Sequence, residues 1–203
     1  MNKTATLWAV AVSLLTGAPA LAENVAGTTN AGAEWAIDAA HAHIGFSVPH
    51  MVVSEVEGQF KAFSGKVLLD EKDLTKSQLE FSIQAASIDS DNADRDKHLK
   101  SGDFLDTQKF PTIDFKSTKI TRSSKGYKIT GELVIHGVRK PVTLDATLSA
   151  PVLSPWGKQV RAAKISGKIN RQDFGLSWNK ALDKGGMVVG DEVTLNVKLE
   201  LNK

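Results

Sequence analysis

No cysteine occurs anywhere in the 203 residues. That excludes a disulfide framework, so an exported chain of this kind rests on burial and strand pairing alone. It also excludes thiolate metal ligation and a lipid-modified cysteine at the N-terminus. An excess of one charge is missing too. The 25 Lys and Arg stand against 23 Asp and Glu, and removing Lys3 brings the two within one. No basic block stands out, which argues against nucleic acid as the partner. Ser101 and Ser177 lack a Gly-x-Ser-x-Gly setting, and no glycine-rich phosphate loop is present. No catalytic residue is assigned, and the chain is not expected to be an enzyme. The apolar run Leu7–Leu15 falls short of the ~20 residues that a membrane helix needs.

What is there begins with that run. Lys3 before it and Ala20-Leu-Ala22 after it make residues 1–22 a secretory signal peptide, cut near Ala22, so export is expected. Residues 23–33 are small and polar and read as a flexible leader. Residues 34–203 fit one domain. Apolar and polar residues alternate through most of it. Leu79, Phe81, Ile83 and Ala85 share one face; Ile129, Gly131, Leu133 and Ile135 share another; Val193 to Leu201 alternate strictly. About eight strands result, joined by hairpin-length turns, with Pro49 ending or edging the first of them. No βαβ rhythm appears. The fold class is therefore all-β and antiparallel, either a sandwich or a closed eight-stranded up-and-down barrel. The late strands, at ~30 Å, suit the barrel.

Alternation stops between Asp91 and Pro111. There a short helix is expected as a plug or lid, started at Asp91 to Ala93 and stopped by Gly102. An eight-stranded bore is filled by side chains or holds one small ligand. Periodicity leaves both open, and the small inward residues Ala85, Gly131, Ala146, Ala163 and Gly167 favour a hollow interior.

Four phrases in order resemble the YceI-like family of exported lipid-binding barrels. They are Asp38-Ala-Ala-His-Ala-His-Ile-Gly-Phe-Ser-Val-Pro-His-Met51; Arg95-Asp-Lys-His-Leu-Lys-Ser-Gly-Asp-Phe104 with Lys109–Phe115; Gly131–Val142; and Asn170–Trp178 with Val189–Val193. The resemblance spans Trp35 to Leu201. It implies a lipocalin-like barrel in the periplasm with a long apolar pocket for polyisoprenoid chains, among them isoprenoid quinones and prenyl phosphates. It also implies a membrane cytochrome of the b561 type as a partner. Pro49 departs from the family, which often has arginine before the histidine at 50; any head-group contact from that position is lost.

The apolar rows give the candidate ligand wall: Phe46, Val48, Phe60, Phe81, Ile83, Phe115, Ile129, Leu133, Leu144, Leu148, Ile165, Ile169, Leu195 and Val197. Arg95, His98, Asp103 and Phe104 are the candidate mouth, where arginine can fork onto a phosphate. Arg95 can equally tie the helix to a carboxylate, and Arg171 can pair with Asp173. His41, His43 and His50 could meet a metal, but more simply His41 pairs with Asp38, so no metal and no cofactor is assigned. The expected function is to carry or sequester an isoprenoid lipid or quinone. The alternatives are a stress-linked binder of fatty acids or amides, and a docking domain with a filled core. Whether the chain forms a homodimer stays open.

Overall fold

The computed structural model describes residues 32–183 and 185–203. The signal peptide and nearly all of the leader lie outside the described residues; at the leader's end Ala33 already pairs with Leu69. In chain order the elements are β1 (Ala33–His50), β2 (Ser54–Phe60), β3 (Phe63–Leu69), β4 (Gln78–Gln84), β5 (Ile88–Asp89), α1 (Ala93–Lys100), β6 (Thr112–Ser123), β7 (Gly126–Ile135), β8 (Val138–Leu148), β9 (Val152–Leu153), β10 (Gln159–Asn170) and β11 (Glu192–Asn202).

Neighbouring strands pair antiparallel in the order β11-β10-β8-β7-β6-β4-β3-β1, and β11 returns to β1. That last pairing sets Ile44 against Val197 and Phe46 against Leu195. It closes an eight-stranded barrel and excludes a sandwich, which keeps open edges. Three short strands complete it. β1 is long enough to pair β3 at its start and β2 at its end. β5 continues the line of β4 alongside β2, and β9 pairs the start of β10.

Pro49 does not end β1. It sits in register with Glu55, two residues beyond the last pair with β11, Ser47–Thr194. A proline there removes no ladder bond on that side, and its carbonyl accepts the Gly190 N–H at 2.8 Å.

The interior differs between its ends. At the end where β1 starts, Trp35, Val67, Leu69, Ala163, Leu199 and Leu201 pack into a buried cluster, and all of these but Trp35 border a small cavity of about 50 Å³. Trp35 Nε1 donates to Glu71 Oε1 at 3.1 Å. Arg161 donates to the other Glu71 oxygen and to the Ser149 carbonyl, and its guanidinium lies 5.6 Å from the Trp35 ring centre. Every buried polar group of this floor therefore has a partner. Towards the other end, Leu79, Ile120, Ile129, Leu144 and Ile165 form a second layer. Beyond them the packing opens.

Candidate functional site

The open end of the barrel encloses a cavity of about 370 Å³, within the size range of small-ligand sites. Its wall follows from the strand period. Inward residues of β1, β4, β6, β7, β8, β10 and β11 recur every second position, and apart from His50 at the end of β1 they are apolar. Phe46 and Phe60 meet across β1 and β2 with ring centres 5.9 Å apart.

Of the wall residues expected from the sequence, all except Leu148 line this cavity. Leu148 points inward but lies lower, opposite Ala163 and beside the floor cluster. Of the small inward residues Ala85, Gly131, Ala146, Ala163 and Gly167, none borders this cavity; Ala146 and Ala163 border a smaller one, of about 50 Å³, nearer the Trp35 end. Gly131 is instead covered by the Phe115 ring, and Gly167 by the Leu144 side chain. The glycines let large neighbours lie flat on the wall, and those neighbours face the space.

The mouth is built by α1 and by the connection from Arg171 to Asp191. α1 starts where expected. Asn92 is extended and its side chain accepts the Arg95 N–H at 2.9 Å; Asp94 and Asp96 occupy the first turn, Lys97, His98 and Lys100 the last. It stops one residue before Gly102, with Ser101 as its cap. Arg95 donates to Ser90 Oγ at 2.8 Å and to the Ser90 carbonyl at 2.5 Å, not to a carboxylate. Asp96 holds the same serine from the other side, at 2.5 Å from its hydroxyl. Asp89 pairs with Lys61. Asp89 and Asp96 are thus part of the scaffold.

His98, Phe104 and Trp178 form an aromatic cluster with ring centres 4.8 to 5.2 Å apart. It locks α1 onto the 171–191 connection. Asp103 does not reach the lining; it is exposed and accepts from or shares a proton with His98 Nε2 at 2.9 Å.

Arg171 is the buried charge of the site, only 3% exposed. It does not pair with Asp173. Its Nη2 donates to Asp191 at 3.1 Å, Nε to the Gly190 carbonyl at 2.9 Å, and Nη1 to the carbonyls of Leu176 and Trp178. Burial lowers this guanidinium from its ordinary value, and Asp191 opposes that shift. Arg171, Leu176, Trp178, Val188 and Val189 all line the cavity, and none belongs to the expected set. They come from a stretch without a strand period; only the phrase Asn170–Trp178 with Val189–Val193 marks it in the sequence.

The ionisable side chains on the lining are His50, Arg95, His98 and Arg171, and all four stand at the mouth. No carboxylate lines the cavity. The arrangement is an apolar chamber with a basic rim, and the Arg95 Nη1 has no protein partner among the described residues. The three histidines do not converge. His43 bonds Gln59 at 3.1 Å, whereas a register shift in β1 between Asp38 and His43 turns His41 back onto Asp38, also at 3.1 Å. Among the described residues, the one group of three potential metal ligands is Asp38, His41 and Glu200, on the outer surface.

A family model described as YceI-like domain matches residues 35–201. A UPF0312 protein of Serratia proteamaculans is 41% identical over 137 residues, which cover 68% of this chain and 71% of that protein. Among solved structures, a YceI protein of Campylobacter jejuni is 30% identical, with a TM-score of 0.63 over 76% of this chain and 89% of that one. A polyisoprenoid binding domain from Saccharophagus degradans, implicated in plant cell wall breakdown, has a TM-score of 0.57 over 84% of this chain and 98% of that one. At 14% identity the likeness to it is one of fold.

Proposed function

Because this chain belongs to the YceI-like domain family, we propose that it carries or sequesters an isoprenoid lipid, a polyprenyl phosphate or an isoprenoid quinone, in the periplasm. The tail lies in the barrel and the head group at the basic rim. The observation that carries this reading is the division of the cavity: an apolar wall below, and Arg95, His98, His50 and Arg171 together at one end. A flexible tail gains by leaving water along its whole length. An anionic head or a quinone carbonyl is an acceptor that the free Arg95 nitrogen can meet. The signal peptide read at residues 1–22 supports export. A membrane cytochrome of the b561 type would supply a redox context for a quinone cargo.

The test is native mass spectrometry of protein taken from its own periplasm, followed by organic extraction and mass analysis of what is released. The expected result is one prenyl lipid or quinone per chain, displaced by added prenyl ligand in preference to an alkyl ligand of equal carbon count. An apo mass that stays unchanged after incubation with both prenyl phosphate and quinone would overturn the proposal. Preference for the alkyl ligand would replace the isoprenoid with a fatty acid or amide.

A further inference from the structure

The turn between β1 and β2 is made of residues that suit neither a turn nor water. His50 and Ser54 are the last pair of the hairpin, which leaves Met51, Val52 and Val53 as its tip. Val52 is 81% exposed and Val53 84%, with Met51 and, across from them, Met187 close to half exposed. Met51 has φ +50° and Val52 φ +66°. That region is costly for side chains with a Cβ, above all for β-branched ones. Asn-Gly or Asp-Gly would close such a hairpin without strain and would be polar. Neither the strain nor the exposure is explained by what the fold needs.

The tip is part of the rim. The Met51 N–H donates to the Val188 carbonyl at 2.9 Å, and the Gly190 N–H to the Pro49 carbonyl at 2.8 Å. Pro49, His50, Val188 and Val189 line the cavity. The exposed apolar tip and the apolar chamber are thus one continuous surface that crosses the mouth. Among the described residues, the charges flanking the tip are of both signs: Glu55, Lys180 and Asp183, all exposed. Attraction to an acidic or basic macromolecule is not favoured there. An apolar, uncharged layer is.

We propose that the Met51–Val53 tip, with Met187, docks on a lipid bilayer, entering its interface through apolar contact. The inference rests on the lipid-carrier reading and names where that site meets its source. A tail drawn from a bilayer through open water exposes its full length on the way; a rim seated in the interface spares it that exposure.

The experiment uses the mature chain with and without Val52→Gly/Val53→Ser, which relieves the strain at 52 and touches no lining residue. A control, Leu153→Ser/Trp156→Ser, removes exposed apolar side chains at the opposite end, beside the start of β10. Binding to phosphatidylcholine vesicles is read by flotation, and prenyl phosphate binding is read separately in detergent. The tip variant is expected to float about tenfold less than wild type, while the control is unchanged. Added salt should not weaken the wild type, and prenyl binding in detergent should be equal in all three. Equal flotation of wild type and tip variant, or equal loss in the control, would overturn the docking. So would a wild-type dimer in solution that the tip variant dissolves, because the tip would then cover a second copy. Tip-dependent flotation without prenyl binding would leave the docking standing and remove the carrier reading instead.

Discussion

Gly131 shows how one residue sets the shape of the chamber. An alanine methyl there would stand 2.5 Å from the Lys116 carbonyl oxygen and 2.5 Å from the Phe115 ring edge. The ring must give way into the cavity, and the paired β6 and β7 backbones must also part, because the carbonyl contact is as short as the ring contact. Gly131→Ala is expected to cost ~1–3 kcal/mol as an overpacked core position, read as a lower thermal midpoint, and to weaken capture of the longest prenyl tails. On the outer face, His41 and Asp38 shift each other. The bond to Asp38 raises His41, with Asp38 and Glu200 adding by charge; the same bond, then the Ala40 N–H, lowers Asp38. The His41 contribution is full below its ordinary value and fades as pH rises through the raised one. The Asp38 contribution is full above its ordinary value and fades as pH falls through the lowered one. The pair thus supports the β1 irregularity most between the two ordinary values. An NMR titration should place the His41 midpoint above its ordinary 6.5 and lower it towards that value in Asp38→Asn, with Glu200 still raising it. The wall itself was legible residue by residue, because a period of two assigns every side chain to a face. Leu148 shows the limit: alternation gives the face but not the height, and Leu148 stands at the level of the floor.

Among the elements, the connection from Arg171 to Asp191 depends most on a single side chain. Arg171→Leu strips the donor from the carbonyls of Gly190, Leu176 and Trp178 together and leaves the half-exposed Asp191 to Gln172 alone. A loss of ~3–5 kcal/mol is expected for leaving three part-buried carbonyls without their donor. Hydrogen exchange should localise it: faster amides across 171–191 and in α1, which leans on Trp178, with β6 to β8 little changed. If all amides accelerate alike, the connection is not a separate unit. This part of the mouth was the least legible. It has no periodicity, and its order comes from a buried arginine bonding to main-chain carbonyls, which leaves no pattern in composition. α1 was half legible. Asn92 announces its start, but Gly102 does not stop it, since the amides of Ser101, Leu105 and Thr107 reach back to the carbonyls of His98, Leu99 and Lys100. Closure came from a tertiary turn, where the sequence offered a glycine.

For the whole molecule, closure joins β1 to β11 across nearly the full chain, and no local pattern could distinguish that from an open sandwich. Strand length pointed the right way because a tilted barrel uses long strands. Whether the bore was hollow or filled had no single answer in the sequence, and the structure divides it: packed around Trp35, with a small cavity of about 50 Å³ between that floor and the Ile129 layer, and hollow above Ile129. Tail length should report that boundary. Each buried methylene contributes ~0.8 kcal/mol, offset in part by ordering the chain. Across a series of prenyl phosphates, affinity measured by competition should rise with each unit and then level off when the tail meets the second layer. A rise that never levels would mean that the tail passes the floor. The Trp35 floor also decides how cargo can travel. A pipe open at both ends can stand between two membranes and let lipid run through; a cup with one lip cannot. It must be filled, leave, turn over and be emptied by the lip through which it was loaded. Transfer between donor and acceptor vesicles should therefore scale with the number of cups in solution, and tethering the protein to either membrane should stop it.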